Sequence, residues 1–523
     1  MATHGVVAAP HYLAAQAGLE LLRAGGNAVD AAIAANATLQ VVYPQLCGLG
    51  GDLFAIVWDA RSERLYGLNA SGRSPASATI ERYHALGHEQ MPPFGIHTVT
   101  VPGCPDGWRM LSERFGRVGL ERCLAPAIGY ATDGFPVGPG LHATLARMDS
   151  LPYTHRSFRD HFMPGGQIPA TGTTFCRPEL AATLRRLAEH GTDDYYRGEL
   201  ATRIAAFFAD NGGLIAEEDL AAHSGEWVAP LSVRFGDLEV YELPPNTQGI
   251  AALQMLGMVN GLALADSPLA AETVHLEVEA KKLAFADRDA YLTDLAHMRV
   301  DPAALIAPEY LAARAALIAA DRARPAVAPG GMTGDTIYLC AADGDGNAVS
   351  LIQSNYRGFG SGYVVDGTGI VLQNRGAYFS LDPGAANALA PSKRTLHTLI
   401  PSMALRDGQP AVVFGTMGGD GQPQTHLQVY TALVRYGYNI QAAIELPRWL
   451  DGQAAYGTPE RVWLESRFPP QTAEALRRFG HIVERLERWD SQVGHANGIV
   501  IDRASGVLHG GSDPRSEGAA VGW

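Results

Sequence analysis

Apolar positions recur at helical spacing from the start of the chain. Residues 14–23 (AAQAGLELLR) predict an amphipathic helix that Gly25-Gly26 ends. Asn27 is placed to cap a second helix, with Asp30 near its N3 position. That alanine-rich helix is predicted from residue 28 to about 41, with little of it facing solvent, and Pro44 stops it. Gly48-Leu49-Gly50-Gly51-Asp52 is a tight turn into residues 53–58, an apolar run that predicts a buried strand. From about 105 to 320 the pattern is mostly helical. Residues 276–292 carry helical periodicity, with Lys281, Asp287 and Arg288 available for polar contacts. The pattern breaks at 321–335, where two prolines and three glycines predict a surface linker. Beyond it, residues 336–342 and 348–354 predict a hairpin around Asp343-Gly344-Asp345-Gly346-Asn347. A further apolar run at 411–414 precedes Gly415. No short-period repeat is visible, which disfavours a solenoid.

Composition narrows the class. The 523 residues are 47% hydrophobic and 18% charged, enough for a large core and against disorder. A net charge of -14, with lysine only at 281, 282 and 393, argues against binding nucleic acid or anionic membranes. Residues 1–7 predict no secretory leader, and no apolar run is long enough for a bilayer, so a cytoplasmic enzyme is expected. Five scattered cysteines favour buried reduced thiols over disulfides or zinc. There is no GxxxxGK[ST], no GxSxG, no HExxH, and Gly48–Asp52 lacks the dinucleotide fingerprint. No metal and no cofactor are expected.

What remains is a linker that meets a strand at Thr336. A threonine hydroxyl needs an adjacent base to act as a nucleophile near neutral pH. Cutting the bond between Asp335 and Thr336 would free an α-amine on Thr336 itself, and such an amine titrates near pH ~8. One residue then supplies nucleophile and base. A threonine that merely opens a strand is the plainer reading of the local pattern.

Ordered motifs along nearly the whole chain carry a resemblance. They are Gly25-Gly26-Asn27-Ala28-Val29-Asp30-Ala31-Ala32, Gly48 to Asp52, Val101-Pro102-Gly103, Pro126-Ala127-Ile128, and Pro244-Pro245 with Gly249. Gly334-Asp335-Thr336, Asp345 to Val349, Gly418-Gly419 and Ser512-Asp513-Pro514-Arg515 complete the set. In this order and spacing the sequence resembles the γ-glutamyltransferase (γ-glutamyl transpeptidase) family. The resemblance implies an α+β fold, the four-layer αββα sandwich of N-terminal-nucleophile hydrolases. It implies self-cleavage into residues 1–335 and 336–523, which stay intertwined as one heterodimer. It also implies an acyl-enzyme on Thr336 that forms from a small-molecule acyl amide.

Roles follow by position. Gly418 and Gly419 match the glycine pair whose N–H groups form the oxyanion hole. Arg73 matches an arginine that pairs with the substrate α-carboxylate. Ser354 stands where the family has a second threonine beside the nucleophile's amine. His397 and Thr398 align with a serine pair that contacts the substrate carboxylate. Arg375 and Tyr378 replace the amide and acid that grip the α-amine, so that stretch offers an ammonium no carboxylate. Asp420 and Gln422 are candidate site-lining residues. The chain between Ser380 and Lys393-Arg394 is shorter than in family members with a lid loop, so a more open site is expected. These departures resemble the γ-glutamyltransferase-like branch. The leading expectation is an amidohydrolase that cuts γ-glutamyl or related acyl amides, with hydrolysis favoured over transfer. A glutaryl (cephalosporin) acylase or oxamate amidohydrolase is the alternative, and an uncleaved, inactive scaffold is a third reading from another class.

Overall fold

The computed structural model describes residues 1–324, 335–452 and 461–523. Thirteen strands build two sheets. They are β1 (Gly5–Ala9), β2 (Asp52–Asp59), β3 (Arg64–Ala70), β4 (Glu226–Val228), β5 (Leu231–Phe235), β6 (Leu238–Glu242), β7 (Asp335–Asp343), β8 (Ala348–Tyr356), β9 (Ser402–Arg406), β10 (Gln409–Thr416), β11 (Ala496–Asp502), β12 (Val507–Ser512) and β13 (Ala519–Gly522). The first sheet runs β13-β1-β7-β8-β2-β3-β4 and the second β12-β11-β10-β9-β6-β5. Every pairing within them is antiparallel.

Strand β7 shows how the layers form. Side chains alternate across a strand. Ile337, Leu339 and Ala341 pack into the cluster that contains helices α1 (Tyr12–Arg23) and α2 (Ala28–Val42). Tyr338, Cys340 and Ala342 point the other way, into a core with Met403, Val413 and Ile499 of the second sheet. The outer face of that sheet is covered by α3 (Gly249–Asn260), α4 (Ala271–Tyr291) and α5 (Gln422–Tyr436). Helix, sheet, sheet, helix is the expected four-layer sandwich.

The predicted cap of α2 forms: Asn27 Oδ1 accepts from the N–H groups of Val29 and Asp30, and Asp30 returns a bond from the Asn27 N–H. The helix predicted from 276 begins a turn earlier, at Ala271. The largely helical middle is interrupted by β4, β5 and β6. Their strands are three to five residues long, too short to stand out against flanking helical periodicity. Of the predicted linker, 325–334 lies outside the described residues. Four cysteines are buried as expected, and Cys176 is exposed. Among the described residues no helix is long and apolar enough to cross a membrane.

Burial leaves its mark on the histidines. It pulls His397, His426 and His481 down to about 3, and His11, His223 and His495 down to about 4. In the unfolded chain each would take a proton near pH ~6.5. Below that pH the unfolded state therefore binds more protons, and stability falls as pH falls. Glu277, raised to about 7 by burial, and buried Glu242 act in the opposite sense but are outnumbered. The melting temperature is expected to fall steadily from pH 6.5 to pH 4 in a thermal-shift series. A flat or rising profile would contradict the neutral, buried state of these rings.

Candidate active site

Thr336, the second residue of β7, lies on the same face as Tyr338 and Cys340, toward the second sheet, and it is buried. Its Oγ1 donates to Ser354 Oγ at 3.3 Å, and Ser354 Oγ also accepts from the Tyr356 N–H at 2.7 Å. The ladder between β7 and β8 slips here: Gln353 pairs with Ile337, but Tyr356 pairs with Asp335. Ser354 and Asn355 thus both face Thr336, which is a β-bulge, a device that re-aims side chains beside active sites. Tyr356 carries the strain of this turn at φ 78°. Behind the bulge, Gly51 lies so close that a Cβ would sit 2.3 Å from the Ser354 carbonyl.

Strand β10 ends at Thr416 and runs into Gly418 and Gly419, with φ of 129° and 53°. A side chain at Gly418 would be strained, which explains the residue type. Among the described residues neither glycine N–H has an acceptor. Two unengaged amides of this kind are the ingredients of an oxyanion hole.

Arg375 is fully buried. Its Nη1 donates to Thr398 Oγ1 at 3.0 Å, and its guanidinium lies 4.2 Å above the Tyr356 ring. Nε and Nη2 have no hydrogen-bond partner among the described residues, and neither does the Tyr356 hydroxyl. Burial lowers this guanidinium to about 10, so it stays charged at neutral pH. A buried cation with two idle donors is costly unless something anionic meets it.

The other candidates divide. Tyr378 donates to Asp420 Oδ1 at 2.7 Å, and the same oxygen accepts from Arg288 Nη1 at 2.8 Å. A carboxylate therefore does enter this corner, from the glycine loop rather than from the 373–380 stretch, but it arrives already paired. His397 Nε2 bonds Asp52 Oδ2 at 2.9 Å and its Nδ1 accepts from the Leu399 N–H at 3.4 Å. Both ring nitrogens are spent inside the protein, so His397 braces the site rather than reaching a ligand. Thr398 alone of that pair faces Arg375. Arg73 is 41% exposed on its side chain and pairs with Asp294 at 3.2 Å, with no bond to Arg375 or Thr336. Gln422 Oε1 accepts from the Ile400 N–H at 3.1 Å. Tyr356, Gln248 and Arg288 are the residues that sequence reasoning did not place here. Of the three, only Arg288 carries a signal in the sequence, as a charge available for polar contacts on its helix.

One group among the described residues has the donors for a metal ion: His275, Glu279 and His481, within 4.8 Å of one another. Its carboxylate is taken by Lys282 Nζ at 2.8 Å and the Arg324 N–H at 3.0 Å. The lysine already supplies the positive charge that a metal would bring.

Sandwich and site together define an N-terminal-nucleophile hydrolase. Comparison with known proteins agrees. The γ-glutamyltranspeptidase family model matches residues 14–523. The chain is 40% identical to the glutathione hydrolase-like YwrD proenzyme of Bacillus subtilis (strain 168), over 99% of this chain and 98% of that one. It is 42% identical to the oxamate amidohydrolase proenzyme of Klebsiella pneumoniae, over 100% and 99%. The structure superposes on cephalosporin acylase from Bacillus halodurans with a TM-score of 0.94 at 43% identity, covering 100% of this chain and 96% of the other. The chain belongs to the γ-glutamyltranspeptidase family and is a self-processing amidohydrolase.

Proposed function

We propose that the chain cuts itself between Asp335 and Thr336, and that Thr336 then hydrolyses amides whose acyl group ends in a carboxylate. Monoamides of dicarboxylic acids form this class, and both oxamate and glutaryl amides belong to it. The observation that carries the reading is Arg375, buried with Nε and Nη2 unpartnered among the described residues. The substrate carboxylate accepts from those two donors, with the Tyr356 hydroxyl and Thr398 at its sides.

The reaction runs in two halves. The freed α-amine of Thr336 takes the Oγ proton, and Oγ attacks the amide carbon. The oxyanion that forms is held by the Gly418 and Gly419 N–H groups. The C–N bond breaks as the amine leaves with the proton, giving an acyl ester on Oγ. Water, deprotonated by the same α-amine, cleaves the ester and returns the acid. Ser354 holds the Thr336 hydroxyl in line beforehand.

A γ-glutamyl amide is the second reading, favoured by Asp420, whose carboxylate could meet an α-ammonium. It ranks lower because Arg288 and Tyr378 already hold that carboxylate. Glutaryl and γ-glutamyl anilides differ only by this ammonium. The purified enzyme is expected to release aniline faster from the glutaryl compound. A preference for the γ-glutamyl compound would overturn the first reading in favour of the second.

A further inference from the structure

Gln248 ties the Gly418–Gly419 loop to Thr398, the residue that holds Arg375. It is buried just before α3, in the turn Pro244-Pro245-Asn246-Thr247-Gln248. Its Nε2 donates to two carbonyls at 2.9 Å each, those of Gly419 and Thr398. Its Oε1 accepts from Arg288 Nη1 at 3.0 Å. Its backbone N–H donates to the His397 carbonyl at 2.9 Å. Both amide protons are thus engaged and the acceptor is anchored, so the side chain has a single orientation.

The two carbonyls do different work. Gly418 and Gly419 have no Cβ to restrict their backbone, so bonds from outside must set where their N–H groups lie. Within the loop the Gly421 N–H bonds the Gly418 carbonyl at 2.8 Å and the Gln422 N–H bonds the Gly419 carbonyl; Gln248 adds the bond to the Gly419 carbonyl that comes from outside the loop. Thr398 carries the hydroxyl that accepts from Arg375. One nitrogen therefore spans the donors for the oxyanion and the holder of the acyl-binding arginine. Its base is rigid: Arg288 also bonds Asp289 at 2.8 Å and Asp420 at 2.8 Å, and packs 4.1 Å over the Phe285 ring.

We propose that Gln248 is a positioning residue that fixes the distance between the Gly418–Gly419 amides and Arg375, and so sets the acyl length that the enzyme hydrolyses fastest. The proposal rests on the carboxyacyl reading above. Supporting shells of this kind hold reacting groups to within about half an ångström, and a shift of ~1 Å can cost about a hundredfold in rate.

The test compares wild type, Gln248→Glu and Gln248→Met on malonyl, succinyl, glutaryl and adipyl anilides. Rates are normalised to the burst of acyl-enzyme. Gln248→Glu keeps the size and the Arg288 contact but turns a carboxylate oxygen toward two carbonyls. Gln248→Met keeps the volume and drops all three side-chain bonds. Both are expected to lose about 10- to 100-fold in kcat on the preferred acyl length with KM little changed, and to flatten the preference between neighbouring lengths. Unchanged kcat and preference would overturn the proposal. So would an equal loss at every length, the mark of a merely structural role. If Gln248→Glu fails to mature, Gln248→Met decides alone. The wild-type series separately reports the carboxyacyl reading. If wild type cleaves only γ-glutamyl anilides, that reading fails, and Gln248 is judged by the ratio of γ-glutamyl to β-aspartyl hydrolysis.

Discussion

Thr336→Ala is expected to stay a single chain of 55.6 kDa on a denaturing gel and to hydrolyse no amide above background. Wild type is expected to give two fragments. The two losses have one origin. On the proposed mechanism the Thr336 hydroxyl attacks its own preceding carbonyl in the uncut chain, and after the cut the same oxygen attacks substrate. Removing a nucleophile from a preorganised site costs about ten-thousand-fold or more. Thr336→Ser keeps a hydroxyl and is expected to mature and turn over, more slowly. The pH profile adds a second constraint. The freed α-amine must be neutral to take the hydroxyl proton, so kcat/KM should rise through its pKa near ~8 and level off. His397 cannot supply that limb, because burial beside Arg375 pulls it to about 3. A variant Thr336→Ala that still cleaves itself would place the nucleophile elsewhere.

Arg375→Gln and Arg375→Met are expected to lose most of the activity on carboxyacyl anilides while keeping a stable fold. A buried, hydrogen-bonded charge pair that loses one partner costs about 2–5 kcal/mol. At ~1.4 kcal/mol per tenfold, that is a fall in kcat/KM of about 30-fold to several thousandfold. Butyryl anilide, which has no carboxylate, should change far less. The melting temperature should hold or rise, since the substitution removes an unpaired guanidinium from the interior; the contact with the Tyr356 ring offsets only ~0.5–2 kcal/mol of that gain. Lost activity with retained stability separates a binding role from a packing role. Equal losses on both anilides would remove Arg375 from the substrate site.

Those predictions rest on parts of the molecule that were legible to different degrees. Local chemistry was readable: the Asn27–Asp30 cap, the hairpin of β7 and β8, and the glycines after β10 are set by residues a few positions apart. The four layers became readable through resemblance, since nothing in one strand says which sheet it will join. The site was readable only as single positions. That Asp420 would reach Tyr378, 42 residues away, or that Arg288 would reach Asp420, 132 residues away, depends on packing that no local pattern encodes. His397 illustrates the limit from the other side. Its alignment with ligand-binding residues hides a partner 345 positions away, Asp52, that takes its outward-facing nitrogen.

The order of the first sheet has a further consequence. Strand β8, and β7 apart from Asp335, come from residues 336–523; they lie between β1 and β2, and β13 closes the far edge against β1. A cut before Thr336 therefore divides the covalent chain but not the hydrogen-bonded fabric, whose warp and weft then belong to different molecules. Loss of activity on heating becomes a matter of how fast the weave opens. Once opened, the pieces are strangers at finite dilution, and their reunion depends on concentration where the first folding did not. The precursor is expected to refold, and its product, having spent its only seam, to recover poorly from the same denaturant.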